Sequence, residues 1–187
     1  MRGGGSGSLS VLFRIEKMTK QQIIEKAKKS VIYLICGQIG SGKTTFAKKL
    51  EQETRAIRFT PDEWMLKLYS EIPAKEEFDD HFYKCCDVVW CVASEIVKRG
   101  GDVIFDFGFW KYKDREKYRK LVLGIGAESK LYYIDCDNEN IRERLHRRNR
   151  EQPDGAIEIT DEMFDFYSPE FEPPNEKEKY FLIKSDS

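Results

Sequence analysis

The sequence predicts an α/β fold, a mostly parallel sheet of about five strands layered between helices and closed by a helical lid. Three observations predict it. Short apolar runs alternate with stretches of helical periodicity, the pattern of βαβ units with right-handed crossovers. The first run, Val31–Cys36, is apolar throughout, as a strand buried on both faces must be. A glycine-rich segment follows it and leads into a helix, and in such sheets ligands sit beyond the carboxyl ends of the strands.

Taken in order, residues 1–17 read as a flexible leader, with Gly and Ser at its start and Met18 as the native beginning. Gln21–Lys29 has the spacing of a short amphipathic helix, and Val31–Cys36 is the first strand. Thr44–Thr54 fits a helix and Ala56–Phe59 a brief strand. Thr60-Pro61-Asp62-Glu63 has the form of a helix start, with Thr as cap, Pro in the first turn and acids behind it. Glu76–Lys98 reads as a long helix stopped by Gly100-Gly101, and Asp102–Phe107 as an apolar strand. Lys113–Leu123 is a charged helix, Lys130–Asp135 a strand, and Asn138–Asn149 an arginine-rich helix. Residues 150–179 look irregular and acidic, and Tyr180–Lys184 is a last strand. Residues 18–187 thus form one expected domain, with a lid over about 138–165.

Composition narrows the functions available. The chain has 187 residues, 40% of them apolar and 13% aromatic, which is enough for a packed core and too ordered a mixture for a disordered chain. Its 32 Lys and Arg are balanced by 33 Asp and Glu, so it does not coat nucleic acid by bulk charge. Five cysteines form no C-x-x-C pair, and with only two histidines a zinc site lacks its usual spacing. Cys36 and Cys136 read as small buried hydrophobes of a reducing compartment. No apolar run is long enough to span a bilayer, so the expectation is a cytoplasmic protein without a membrane partner.

The strongest chemical signal is Gly37-Gln38-Ile39-Gly40-Ser41-Gly42-Lys43-Thr44, which matches G-x-x-x-x-G-K-[ST] at every fixed position. Composition alone would generate it in about 1% of chains of this length. Glycines let the backbone curl so that its N–H groups, from Gly37 to Thr45, hold phosphate oxygens at the positive end of a helix. Lys43 can reach the β- and γ-phosphates, and Thr44 can offer its hydroxyl to Mg²⁺. A guanine-specific loop would need Asn or Thr before Lys184-Ser185-Asp186, where this chain has Ile183, so ATP is favoured over GTP.

Two strand ends deliver acids. Val103-Ile104-Phe105-Asp106 has the form of a Walker B strand, whose carboxylate holds Mg²⁺ directly or through water. Asp62 opens the helix after the second strand, where it can serve as a general base beside the γ-phosphate or simply favour the helix dipole. On the helix beginning at Asn138, Ile141 and Leu145 share a face, flanked by Arg144 and Arg148. These two arginines are placed in a lid that neutralises the transferred phosphoryl group. Arg142, Arg147 and Arg150 fall further round and read as a basic face pairing with the acidic tail.

Asp62-Glu63-Trp64-Met65, Asp106-Phe107-Gly108-Phe109-Trp110, the Arg144–Arg148-Asn149 pattern and Phe171-Glu172-Pro173-Pro174 together resemble the bacterial AAA-type ATP-binding proteins of the P-loop kinase class. Those proteins are similar to chloramphenicol phosphotransferase, zeta toxin and the kinase domain of phage polynucleotide kinase. The resemblance covers roughly residues 30–175. It implies a three-layer, nucleotide-kinase-like P-loop NTPase fold with the phosphate-loop strand at its centre. It also implies that Asp62 serves as base or acceptor-hydroxyl ligand, although Asp106 remains a candidate for the base. The polynucleotide-kinase lid carries a further arginine where this chain has Gln152, which argues against direct transfer to nucleic-acid ends.

Trp64, Phe107, Phe109, Trp110 and Tyr112 fall near the expected acceptor side, with Phe107 and Phe109 more readily explained as packing. The function expected is phosphoryl transfer from Mg·ATP to a hydroxyl of a small molecule, an activity that rests on positioning and charge. The alternatives are a polynucleotide or nucleotide 5′-hydroxyl kinase, and an ATP-binding switch module with slow hydrolysis. The sequence specifies neither the acceptor nor the oligomeric state.

Overall fold

The computed structural model describes residues 29–69, 75–151 and 158–185. The leader and, apart from Lys29, the helix expected over Gln21–Lys29 lie outside the described residues. Five strands, β1 (Val31–Cys36), β2 (Ile57–Phe59), β3 (Val103–Gly108), β4 (Glu128–Asp135) and β5 (Tyr180–Lys184), form one sheet in the order β2-β3-β1-β4-β5. Every pairing is parallel. The strand leading into the glycine loop therefore lies at the centre, as the fold class requires.

β1 is central because it is buried on both faces, and its period-two alternation divides the core in two. Ile32, Leu34 and Cys36 point to one side with Val103 and Phe105, where they meet Val89, Ala93 and Val97 of α3 (Lys75–Lys98) and Tyr118 and Val122 of α4 (Tyr112–Gly124). Val31, Tyr33 and Ile35 point to the other, against Ala47 and Leu50 of α1 (Lys43–Thr54). Ile134 of β4 joins this second cluster. α2 (Pro61–Leu68) leaves β2 at the carboxyl edge with Pro61 in its first turn. Thr60 occupies the cap position, but its hydroxyl accepts from Arg58 Nη1 and makes no cap bond to the helix.

The acidic stretch expected to be irregular departs from that reading. It contains α6 (Asp161–Tyr167), whose N-cap Thr60 counterpart, Thr160, accepts from the Met163 N–H at 3.3 Å, followed by a 3-10 turn at Ser168–Glu170. The acids serve this helix: Asp161 and Glu162 lie in its first turn, and Asp161 and Asp165 both pair with Arg142 of α5 (Asn138–Glu151). Phe164 anchors α6 in a third cluster with Ile141, Leu145 and Ile159, which forms the roof above the glycine loop. All five cysteines are thiols, with Cys36 fully buried and Cys91 exposed. Among the described residues no helix is long and apolar enough to cross a membrane.

Candidate active site

The loop between β1 and α1 is held at both ends. The Gly37 N–H donates to the Gly108 carbonyl at 3.2 Å, joining it to the end of β3, and the Ser41 N–H closes a turn on the Gln38 carbonyl at 3.2 Å. Gly40 and Gly42 adopt φ of 74° and 95°, a region that side chains avoid. A Cβ on Gly40 would also come within 3.0 Å of Ile141 and 3.1 Å of Leu145, so the roof packs directly on the loop. Helix α1 then starts from Gly42, which has no side chain to cap it, and its first turn contains no acid. Helix geometry leaves the N–H groups of Lys43, Thr44 and Thr45 without intrahelical acceptors, at the positive end of the dipole. Such an end is suited to phosphate.

Three charges meet at the mouth of this loop. Lys43 Nζ donates to the Gln38 carbonyl at 2.6 Å; burial pushes its pKa down, and the charges of Asp106 and Asp62 oppose that shift. Asp106, 4% exposed, is pushed up by burial, against the pull of Lys43, a hydrogen bond from Thr44 and the charge of Arg58. Its Oδ2 is buried without a hydrogen-bond donor, and Arg58 Nη1 stands 3.9 Å away. Asp62 opens onto the cleft from the first turn of α2. The crowding walls push its carboxyl up to about 6, with Asp106 and Glu63 adding to the rise and Lys43 opposing it.

The orphaned Asp106 oxygen, beside a threonine hydroxyl at the end of a phosphate-type loop, fits Mg²⁺, a hard cation that takes few protein oxygens and completes its shell with phosphate and water. Among the described residues no cluster of three or more His, Cys, Asp or Glu offers a site of the dedicated all-protein kind.

The roof brings Arg144 and Arg148 to the same cleft. Arg144 donates to Ser185 Oγ at 2.9 Å, to the Ser185 carbonyl at 2.8 Å and to the Ser41 carbonyl at 3.3 Å, so it joins the glycine loop to the segment after β5. Arg148 reaches further in: its charge acts on Lys43, and burial holds its own pKa down. Arg147, exposed as the sequence reading placed it, also lines the cleft. Arg142 does pair with the acidic stretch, to Asp161 at 3.0 Å and to Asp165.

The cleft has a volume of about 1950 Å³ and extends past the loop toward α2, α3 and α4. Of the aromatics expected on this side, Phe107, Phe109 and Trp110 line it, although Phe109 is 3% exposed and mostly packed. Trp64 packs edge-on against Phe59 at 5.7 Å, and neither it nor Tyr112 is among the lining residues. Phe78, Phe82, Tyr83 and Asp87 of α3, together with Asp114 and Lys117 of α4, take their place. The sequence reading missed them because they sit within long helices whose periodicity reports only a core-facing stripe.

Arg115 was missed as well. Its side chain is 2% exposed and pairs with Glu178 at 2.6 Å, while Nη1 donates to the Phe109 and Glu172 carbonyls, both at 2.9 Å. It thereby fixes the turn after β3, where Phe109 has φ of 45°. The spacing of Arg115 with Tyr118 and Val122, all buried on one helical face, was the available signal.

With this geometry in place, comparison with known proteins gives a consistent result. A family model described as "AAA domain" matches residues 32–174. No curated protein matches in sequence. Among solved structures, a protein from Chloroflexus aurantiacus described as a kinase superposes with a TM-score of 0.68 at 15% identity, covering 85% of this chain and 89% of that one. A gluconokinase from Sinorhizobium meliloti gives 0.59 at 16% identity, covering 85% and 84%. The Mycobacterium tuberculosis APS kinase, in complex with AMPPNP and APS, gives 0.56 at 15% identity, covering 85% and 90%. The fold is therefore the kinase-like P-loop α/β fold that the sequence predicts.

Proposed function

We propose, starting from the fact that this chain belongs to the AAA domain family, that it binds Mg·ATP on the loop from Gly37 to Thr45 and transfers the γ-phosphoryl group to a hydroxyl of a small molecule. The observation that carries the reading is the convergence at the loop mouth. The charges of Asp62, Asp106 and Arg148 all act on Lys43, so a base, a metal-binding carboxylate and two cations face one small volume.

The roles follow from the chemistry of each group. The loop N–H groups and Lys43 hold the triphosphate, and the Lys43 ammonium, partly withdrawn from water, acts on it with little screening. Thr44 and Asp106 would hold Mg²⁺, which when bound neutralises charge on the β- and γ-phosphate oxygens. Asp62 accepts the acceptor's hydroxyl proton as that oxygen bonds to the γ-phosphorus. The bond from phosphorus to the bridging oxygen breaks, and ADP leaves with the electron pair. An Asp with a pKa of about 6 is ionised at neutral pH and still basic enough to take a proton in flight. Arg148 faces the charge that spreads over the transferring group, while Arg144 braces the loop from the side of Ser185.

A transfer assay with radiolabelled ATP and a panel of small alcohols and oligonucleotides tests this. The expected result is a labelled small molecule, lost in Asp62→Asn while ATP binding persists, and loss of binding or turnover in Lys43→Ala. Labelling of oligonucleotide ends alone, or ATP turnover indifferent to Asp62→Asn, would overturn it.

A further inference from the structure

The cleft is sorted by charge. On the side of α1, α5 and the segment after β5 the lining residues include Lys43, Lys48, Lys49, Arg144, Arg147, Arg148 and Lys184 and no acid, with Lys184 paired to Asp135 and Lys49 to Glu53 outside the lining. On the side of α2, α3 and α4 the walls carry Asp62, Asp79, Asp87 and Asp114, none of which is in an ion pair among the described residues. The cations on that second side are partly occupied. Lys111 pairs with Glu170 at 2.9 Å and Glu172 at 3.5 Å, and Lys117 lies over the Tyr118 ring at 5.7 Å. Lys67 is exposed at the rim.

Aromatic rings are interleaved with these carboxylates. Phe78, Phe82, Tyr83 and Phe107 line the same side, and Phe107 is the middle ring of a stack, 4.6 Å from Phe105 and 5.4 Å from Phe109. Burial raises the pKa of the Tyr83 and Tyr118 hydroxyls, and the charges of Asp114 and Asp79 add to the rise at Tyr83, as those of Asp87 and Asp114 do at Tyr118. At the inner end the cleft is bounded by Asp106, the carboxylate proposed above for Mg²⁺, whose side chain is 2% exposed and whose Oδ2 has no hydrogen-bond donor.

We infer that the acceptor is a small ring-bearing alcohol that carries a protonated amine, with its hydroxyl at Asp62, its ring against Phe82 and Phe107, and its ammonium toward Asp87 and Asp114. Aromatic faces and carboxylates both attract a cation, and each penalises an anion brought to the same place. A phosphate-bearing acceptor or a nucleic-acid strand would need the opposite lining. The inference deepens the phosphotransferase reading and rests on it.

Three compounds of nearly one shape isolate the charge: 2-amino-1-phenylethanol, 1-phenylethane-1,2-diol and mandelate. Binding of each to the full chain loaded with Mg·AMPPNP is measured by calorimetry at low salt. The amine is expected to bind about tenfold tighter than the diol, the ratio that one exposed charge contact and one cation–π contact supply together, with mandelate weakest. Asp87→Asn and Asp114→Asn should each shrink the gap between amine and diol. So should raising salt from about 0.02 M to about 0.5 M on the unaltered chain, a control that no folding defect can mimic. Equal binding of the three, no binding of any, or preference for the diol or mandelate overturns the inference. Failure to load AMPPNP in the first place overturns the phosphotransferase reading instead, so the two failures are distinguishable.

Discussion

Asp62 gives the mechanism a measurable pH signature. An aspartate in water ionises near 3.9, so a base of that kind would leave the rate flat above about pH 5. The cleft walls around Asp62 push it up to about 6, first by desolvating the carboxyl, with Lys43 opposing the rise and the charges of Asp106 and Glu63 adding to it. The sign is fixed by the chemistry: only the ionised carboxylate can accept the hydroxyl proton, so activity rises with pH. About one tenth of the protein is ionised at pH 5 and about nine tenths at pH 7, which makes kcat/KM for the acceptor fall about tenfold per unit below pH 6. The assay is initial-rate phosphoryl transfer to an acceptor that does not itself titrate between about pH 4.5 and 8. Glu63→Gln removes one of the charges that raises Asp62 and should move the limb to lower pH. Asp62→Asn should lower the rate by about 10²- to 10⁴-fold and abolish the limb. An acid limb that survives in Asp62→Asn, or a flat profile from about pH 5 upward, would refute the assignment and return the base to Asp106 or to solvent.

Three further perturbations follow from the packing. Glu178→Gln leaves Arg115 buried without its counter-charge at a site where the two side chains are 2% and 4% exposed. The cost is about 3–5 kcal/mol, read as a fall of about 10 °C in melting temperature. Gly40→Val places a β-branched side chain at φ 74° with its Cβ 3.0 Å from Ile141; it should lower the melting temperature and weaken adenine-nucleotide binding in calorimetry. Asp106→Asn should raise the Mg²⁺ concentration needed for nucleotide binding without lowering stability at neutral pH. Burial raises the pKa of Asp106, so its stabilising contribution is complete below the unfolded value and is lost as pH rises through the folded one. The Asn variant should therefore melt no lower than the parent at pH 7, and urea titrations across pH would show it.

The elements that sequence made legible are those with a strong local cause. Val31–Cys36 is apolar throughout because both faces are covered, and the glycines at 40 and 42 are required by backbone angles that other residues avoid. Pro61 and the acids behind it announce α2 because they match a helix N-terminus on their own. What stayed hidden depends on residues far apart in the chain. Arg115 looks like one more charge on a charged helix until Glu178, 63 positions away, closes on it. α6 was obscured because residues 150–179 read as irregular: the pairing of Arg142 with the acidic stretch was legible, but not that Asp161 and Asp165 sit on a helix. Trp64 was placed near the acceptor by its proximity to Asp62, but on a helix adjacent residues face different ways, and its ring goes to Phe59.

The strand order itself explains how the cleft keeps its charges apart. β1 lies at the centre, with β3 and β2 on one side and β4 and β5 on the other. In a parallel sheet all the carboxyl ends open on the same edge, so whatever follows each strand is set out along that edge in spatial order. Asp106 lies in β3 near its carboxyl end and Asp62 just after β2, which puts the proposed base and the proposed metal-binding carboxylate on one flank. Arg144 and Arg148 follow β4 and Ser185 follows β5, which puts the cations and their brace on the other. The glycine loop runs between the two flanks, and charges from both sides, Asp62 and Asp106 on one and Arg148 on the other, act on Lys43 at its end. Arg58 of β2 reaches Asp106 from that flank, at 3.9 Å, and opposes the rise of its pKa; Arg144 and Arg148 placed there as well would pull Asp62 and Asp106 further down and weaken the proposed base. Separation by a whole strand prevents that pairing, and a triphosphate laid along the loop then supplies the anion that the cationic flank lacks. The same order sets Asp62, Asp79, Asp87 and Asp114, among Lys67, Lys111 and Lys117, on the opposite flank, so the proposed phosphate site and the proposed acceptor site both follow from one sheet topology.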